Sequence, residues 1–459
     1  MDGPSVPESR PFDAIVIGGG LAGLETARRL RAAGTSVVVL EARDRVGGRV
    51  HSQRLETGYT IDLGAQFIGD VQRRISALVD EVGLTRVPPH TVGDNLFLLP
   101  DTEPVLRQGE GLPLSLIGRL DALVAMWGLD RRLQSFRADV EGLDAVPAAR
   151  FVRDLTHTRV PADFLAAYAE GELCASLEQT SAYELLDQVA SAGGMDGEGN
   201  SARWYLAEGT GPLADHLAGR LGESVVLNSP VTKIEPHGEW LSVDCATGVY
   251  RGRHLIVSVP PQLYGRIGLL AALPDERRRA IAGYQLGHVI KTILVFPSPW
   301  WRELGASGRI QSVGGIFNQA VDTSPANGSV GILVLFATAA GAVRLSAMTE
   351  ESDRIARAVG WLEGVSGRAV PQPIAARSIN WNADPYSLGG YASRRGMGGW
   401  RLAPDLFAPV GRIHFAGTET ASEWRSFMEG ALQSAERAAD EVLDGLAQRG
   451  GLREIGPVR

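Results

Sequence analysis

The chain has 459 residues, 44% of them hydrophobic and 21% charged, with 45 Lys+Arg against 53 Asp+Glu for a formal net charge of −8. That length carries ample core for two or three domains. The acidic balance argues against a nucleic-acid binder, because a phosphate backbone demands basic faces. The only cysteines, Cys174 and Cys245, stand far apart and outside any metal-ligand spacing. They therefore read as thiols of a reducing compartment, not as a disulfide framework.

Residues 1–11 lack the basic start and apolar run of a signal peptide and read as a disordered lead-in. No apolar stretch reaches the ~18 residues that a spanning helix needs, so the chain reads as soluble, with no membrane partner. Asp13–Ile17 is a β-branched run that predicts a buried parallel strand. Gly18, Gly20 and Gly23 come next, at G-x-G-x-x-G spacing. Leu21–Ala33 continues at helical period with Leu21, Leu24, Ala27 and Leu30 on one face, and Gly34 closes the helix. Val37–Leu40 is a second strand with Glu41 at its tip, 18 positions beyond Gly23. Such a unit holds a dinucleotide. The first glycine permits the tight turn, the second lets the backbone approach a pyrophosphate, and the third lets helix and strand pack closely. The helix N-terminus offers free N–H groups to the phosphates, and the carboxylate accepts the ribose hydroxyls. A 2′-phosphate would be repelled by Glu41, which favours FAD or NAD over NADP.

The residues after Glu41 decide between those two. Ala42-Arg43-Asp44-Arg45-Val46-Gly47-Gly48-Arg49 resembles the E-A-R-D-R-x-G-G-R signature of the flavin-containing amine oxidases, the monoamine and polyamine oxidase superfamily. The resemblance implies FAD, with Ala42 and Arg43 along the adenosine and the turn at Gly48 passing the pyrophosphate beside Arg49. It also implies an α/β fold. A Rossmann-like FAD-binding domain of the amine oxidase type would be built from residues 1–88, 205–286 and 379–459. A mixed α+β substrate-binding domain, residues 89–204 and 287–378, would be inserted into it.

Asp62-Leu63-Gly64-Ala65-Gln66 resembles the family's D-L-G-A/G segment, which runs alongside the flavin ring; Gly64, Ala65, Gln66 and Phe67 are the candidate contacts. Small residues suit a backbone that must approach an isoalloxazine. From Pro88 the pattern changes. A β-like patch at Asn95–Leu99 leads into helical spacing over Leu114–Leu133, Ala162–Ala169 and Ser181–Ala190, and then a glycine-rich loop over residues 193–199. Ala207–Gly211 resembles the family's x-E-G-G-T segment, with the second glycine displaced. Val225–Lys233 resembles the strand pair in which Val231 meets the adenine, and Leu255–Pro261 the strand that ends in a double proline.

Val289-Ile290-Lys291 and Phe296–Trp301 resemble the family's V-I-K…x-P-x-W block, in which the lysine holds a water against flavin N5. β-like runs over Ile310–Thr338 suit a sheet in the substrate domain. Trp381 to Tyr391 resembles the family's W-x-x-x-P-Y-S-x-G-x-Y segment, and the resemblance implies that Trp381 and Tyr386 contact the cofactor. Where mammalian monoamine oxidases carry a flavin-linking cysteine, this chain has Gly390, and neither cysteine lies nearby, so non-covalent FAD is expected. Arg412–Ala435 resembles the C-terminal signature. Strand Ile413–Ala416 delivers Gly417, Thr418 and Glu419, and a helix over Phe427–Leu443 starts at Met428 beside the flavin N1–C2=O edge, where its positive partial charge would stabilise reduced flavin. The polar tail after Leu443 lacks the membrane helix of the animal enzymes.

The resemblance implies an oxidoreductase acting on CH–NH2 or CH–NH donors. The amine would bind neutral, give a hydride equivalent to FAD and leave as an imine, with O2 reduced to H2O2. Lys291, Tyr391 and Phe427 are the candidate catalytic residues, the two rings flanking the amine as aromatic walls. Partners would be a small-molecule amine and O2, with a homodimer as the family habit and a cytoplasmic location. Two alternatives stay open. An L-amino-acid oxidase would need an arginine for the carboxylate, for which Arg119, Arg203 and Arg344 are candidates. A desaturase or protoporphyrinogen-type oxidase would act on C–C bonds.

Overall fold

The computed structural model describes residues 11–109 and 111–451, so the expected lead-in lies outside the described residues except for Pro11. The chain forms two compact units, Met1–Gly48 with Pro212–Arg279 and Asp405–Arg459, and Arg49–Gly211 with Ala280–Pro404.

The first unit is built on the predicted βαβ. Strand Phe12–Ile17 pairs in parallel with Val37–Leu40, and helix Leu21–Ala32 connects them. The sheet continues from Val37–Leu40 to Val225–Val226 on one side. On the other side of Phe12–Ile17 comes the long strand Gly248–Val257. Its first half runs antiparallel to Trp240–Cys245, and its last residues pair in parallel with Ile413–Phe415. Strand Val231–His237 forms the edge. The strands between Ala14 and Leu40 read as near-continuous apolar runs because both faces of a parallel sheet are covered. The last helix, Met428–Gly451, is longer than expected. It buries Leu432, Ala435, Ala439 and Val442, and its Glu436 pairs with Arg29 of the first helix.

The second unit carries a seven-stranded sheet in the order Ala375–Asn380, Val289–Phe296, Gly331–Thr338, Gln319–Asp322, Ala306–Ser312, Asp94–Leu98, Val105–Gln108. Ala306–Ser312 meets Asp94–Leu98 in parallel and the other pairings are antiparallel. Strand Val289–Phe296 is buried on both faces. Ile290, Leu294 and Phe296 enter one core with Trp300, Trp301 and Trp361, while Ile293 and Val295 enter another with Leu55, Ile61 and Leu63. Strand period 2 therefore puts Lys291 on the face turned toward the 55–63 segment. Helices Leu116–Leu133, Ala148–Leu155, Arg159–Leu173 and Ala182–Ser191 surround a separate core that includes Phe136, Phe151 and Leu186. The glycine-rich stretch expected as a loop contains one short helix, Met195–Gly199.

The units differ from the sequence-based domain plan at 49–88, 205–211, 280–286 and 379–404, which pack in the second unit. The reason is hydrogen bonding. Arg86–Val87 pairs with Tyr205–Leu206, Gln285–Leu286 with Ser393–Arg394, and Ala375–Asn380 joins the large sheet. Among the described residues, no helix is long and apolar enough to cross a membrane.

Candidate active site

In the first unit the glycine turn has the expected form. Gly18 sits at φ +106°, a conformation open to glycine. A Cβ on Gly23 would lie 2.0 Å from the Gly18 carbonyl oxygen, which is why helix and strand can pack so closely there. Gly20 caps the helix with no side-chain cap, so the first N–H groups of that helix remain available to an anion. A Cβ on Gly20 would meet nothing closer than Gly47 O at 3.9 Å, so the backbone is approachable. Glu41 is buried. Its Oε2 accepts the Gly19 N–H at 2.6 Å and its Oε1 the Arg43 N–H at 2.9 Å, which leaves lone pairs on both oxygens for hydroxyl donors. Asn228 N donates to Arg43 O and Ser229 N to Glu41 O, bringing the segment before Val231 to the same strand tip, with Ala42 half-buried between them. Gly47 N donates to Gly19 O, and Gly48, at φ +58°, lies against Gly20. An acid, an uncapped helix start and glycine-lined backbone together fit the adenosine diphosphate half of FAD.

At the same end of that sheet, just beyond strand Ile413–Phe415, Gly417 (φ +110°) donates its N–H to Ser434 Oγ at 3.0 Å. Thr418 Oγ1 donates to Phe427 O at 2.9 Å, and Glu419 is buried beside them. Phe427 is half-buried, with its ring perpendicular to Trp424 at a 5.2 Å centroid distance. The final helix starts at Met428, directly after it.

In the second unit, Lys291 is 2% exposed. Its Nζ donates to Gly64 O at 2.9 Å and Gln66 Oε1 at 2.8 Å, and lies 5.6 Å from the centre of the Phe336 ring. Phe67 packs on Phe336 at a centroid distance of 6.4 Å. A Cβ on Gly64 would fall 2.0 Å from Arg49 O, and Ala65 N donates to that same carbonyl, so the Arg49 and Gly64–Ala65 segments run in contact. Trp381 Nε1 donates to Leu63 O at 3.0 Å. Tyr386 is half-buried in a turn closed by its N–H on Asp384 Oδ1. Tyr391 Oη donates to Gly171 O at 2.6 Å, which fixes its ring.

Three residues outside the sequence-based candidates shape this unit. The first is Asp62. Desolvation pulls the Lys291 ammonium down to about 8, opposed by the charge of Asp62. Burial in turn raises the Asp62 carboxyl, opposed by Lys291 and by hydrogen bonds from Ser52 and Thr210. The second, Thr210, bonds Asp62 through both N and Oγ1 and hands its hydroxyl to Ala65 O at 2.7 Å as well. Both residues stand inside the D-L-G-A and E-G-G-T-like motifs, so a signal existed. The third, Cys174, corrects an expectation. It packs with Val289, Trp381 and Tyr391, although nothing in the sequence brings residue 174 near residue 391. Burial pushes its thiol up to about 12, so it stays protonated and unreactive. The arginines weighed for a substrate carboxylate are all on the exposed surface. Arg203 pairs with Asp70, Arg344 donates to the Gly314 and Gly315 carbonyls, and Arg119 lies on an outward helix face.

These features define a flavin-dependent oxidoreductase, and the chain belongs to the flavin-containing amine oxidoreductase family, whose model matches residues 21–443. It is 30% identical to an L-amino acid dehydrogenase of Synechocystis sp. across 95% of each chain. It is 29% identical to the flavin-containing amine oxidase B of Bos taurus, over 96% of this chain and 88% of that one. A structure of putrescine oxidase bound to putrescine superimposes with a TM-score of 0.87 at 26% identity, over 95% of this chain and 99% of that one. The protein is thus an FAD-dependent enzyme that oxidises amine donors.

Proposed function

We propose that the enzyme oxidises the C–N bond of a primary or secondary amine to an imine that water hydrolyses, with O2 as acceptor and H2O2 as product. FAD, when bound, supplies the acceptor for the hydride lost from the α-carbon. The observation that carries this reading is Lys291, a buried ammonium held on Gly64 and Gln66, in the segment assigned to the flavin ring. Burying a lysine is costly and is rarely done without a purpose, and an ammonium at this position can hold a water by hydrogen bond. Tyr391, fixed through its hydroxyl, and Phe427, fixed edge-on to Trp424, serve as aromatic surfaces that orient the amine nitrogen and exclude water. The cofactor contacts named from the sequence belong to the same proposal.

Non-covalent FAD is supported by Gly390, which offers no thiol, and by the raised, protonated thiol of Cys174. The homodimer and cytoplasmic location rest on family habit and on the sparse cysteines.

A second reading, oxidation of an L-amino acid, is favoured by the name of the Synechocystis relative. The exposed positions of Arg119, Arg203 and Arg344 count against it. Anaerobic bleaching of the flavin by aryl-alkyl monoamines, diamines, cyclic secondary amines or L-amino acids decides between the two. Readmitted air tests O2. A flavin that no amine bleaches would overturn the primary reading.

A further inference from the structure

We infer that Gln319 and Gln311 hold the far end of the substrate and select amines whose chain ends in an uncharged hydrogen-bonding group, a hydroxyl or an amide. Plain alkylamines and diamines are disfavoured. The inference rests on the reading of Lys291 as the lysine of the flavin site. Its basis is the register of the large sheet. Lys291 pairs with Phe336, Phe336 with Gln319, Gln319 with Gln311, and Gln311 with Phe97. Residues that pair directly share a face of the sheet. These five side chains therefore stand side by side across successive strands, on the face where Phe67 packs on Phe336. Strands lie about 4.8 Å apart, which puts Gln319 about 10 Å and Gln311 about 14 Å from Lys291. The opposite face sends Ile310, Ala320 and Leu335 into closed core.

Helix Arg159–Leu173 closes the far end of the row. Phe97 is buried under its Phe164, with ring centroids 5.9 Å apart, and the same helix presents Gly171 to the Tyr391 hydroxyl. Phe164 and Gly171 lie nearly two turns apart and so share a helix face, with roughly 10 Å of helix between them. Phe336, Gln319 and Gln311 stay half-buried, as the wall of a cleft does. Among the described residues neither of these two glutamine side chains has a hydrogen-bond partner, whereas that of Gln66 is taken by Lys291. Each amide offers a carbonyl acceptor and an NH2 donor, and a hydroxyl or amide guest can satisfy both. An alkyl end would strip water from the amides and return no bond. A second ammonium needs a counter-charge, and Lys291 is the only ionisable side chain of the five. Glu172 does not supply one to the row, because it lines the cavity among Leu129, Phe151 and Leu185 in the helical core.

Anaerobic stopped-flow reduction of the holoenzyme's flavin tests the inference. Alkylamines of graded length are each compared with the same chain ended by a hydroxyl, and with the chain ended by a second amine. At the best length the hydroxyl-ended amine is expected to exceed its alkyl partner by about 10-fold or more in reduction rate over Kd, since a site built for a hydrogen bond rejects the analogue that lacks it. Gln319→Leu/Gln311→Leu should abolish that preference. Gln319→Glu, nearly the same in shape, should move it toward the diamine, which a merely structural glutamine would not do. Equal reduction by both members of every pair overturns this inference and leaves the proposed function standing. So does a preference that survives the double leucine change, or a wild type that favours the diamine, which would assign selection to Glu172. A flavin that no amine reduces overturns both.

Discussion

The ammonium of Lys291 donates a 2.8 Å hydrogen bond to Oε1 of Gln66, 225 positions away in the chain. Asp62, buried in the same unit, supplies the opposing charge that keeps this lysine from losing its proton at a still lower pH. With its folded value at about 8 and its ordinary value at 10.5, Lys291 changes charge within the range where an amine oxidase can be assayed.

Lys291→Met is expected to retain FAD and to slow turnover by about 100-fold, the scale of a lost hydrogen-bonding catalytic group. Stopped-flow flavin reduction and reoxidation between pH 6 and 10 should show an inflection near 8 in the wild type that the variant lacks. Matching profiles would remove the lysine from the chemistry. The stability effect has a definite sign. Between pH 8 and 10.5 the unfolded chain still holds a proton that the folded chain has released, so stability rises with pH across that window. The variant should lose that rise.

Glu41→Gln places an amide where Oε1 and Oε2 now accept the Arg43 and Gly19 N–H groups. One side of the amide must then face a donor with a donor. The expected result is FAD dissociation at least ~10-fold easier, an unmet buried hydrogen bond costing about 1–3 kcal/mol. Dialysis of the holoenzyme followed by flavin fluorescence measures it. An unchanged dissociation constant would mean that this carboxylate does not organise the turn.

Gly23→Ala and Gly34→Ala should separate packing from conformation. A Cβ on Gly23 meets backbone at 2.0 Å and cannot be accommodated without parting helix from strand. We expect loss of FAD and of more than about 3 kcal/mol of stability, since overpacking against rigid backbone lies at the costly end. Gly34, at φ +83° with nothing near, should cost only about 1 kcal/mol and keep its flavin. Thermal unfolding of the two holoproteins is the comparison, and equal effects would refute the packing argument.

Acid precipitation of the wild type should release all its flavin, because the thiol nearest to Tyr391, on Cys174, is held protonated. Gly390→Cys is sterically admissible: its Cβ would rest 3.4 Å from Val289 Cγ1, an ordinary contact. In-gel flavin fluorescence after denaturation should be absent in the wild type. A fluorescent wild-type band would overturn the non-covalent assignment.

The cofactor cradle was legible because it is local. Gly18, Gly20, Gly23 and Glu41 lie within one βαβ unit, where strand, turn and helix period are set by neighbouring residues. The helices of the second unit were legible in type but not in extent. Ala162–Ala169 marked only part of Arg159–Leu173, and residues 193–199 hid a short helix, because packing against a shared core extends segments whose own propensity is modest.

The order of apolar, glycine and acidic residues along the chain was by itself enough to determine the class of cofactor and the family, since those signals depend on spacings of a few residues. Tertiary structure decided what those residues experience. Whether Lys291 is buried, whether Asp62 faces it, and whether Cys174 touches Tyr391 all depend on contacts across hundreds of positions. Desolvation and charge pairing act through space, so they set the pKa of a group only once the chain has closed around it.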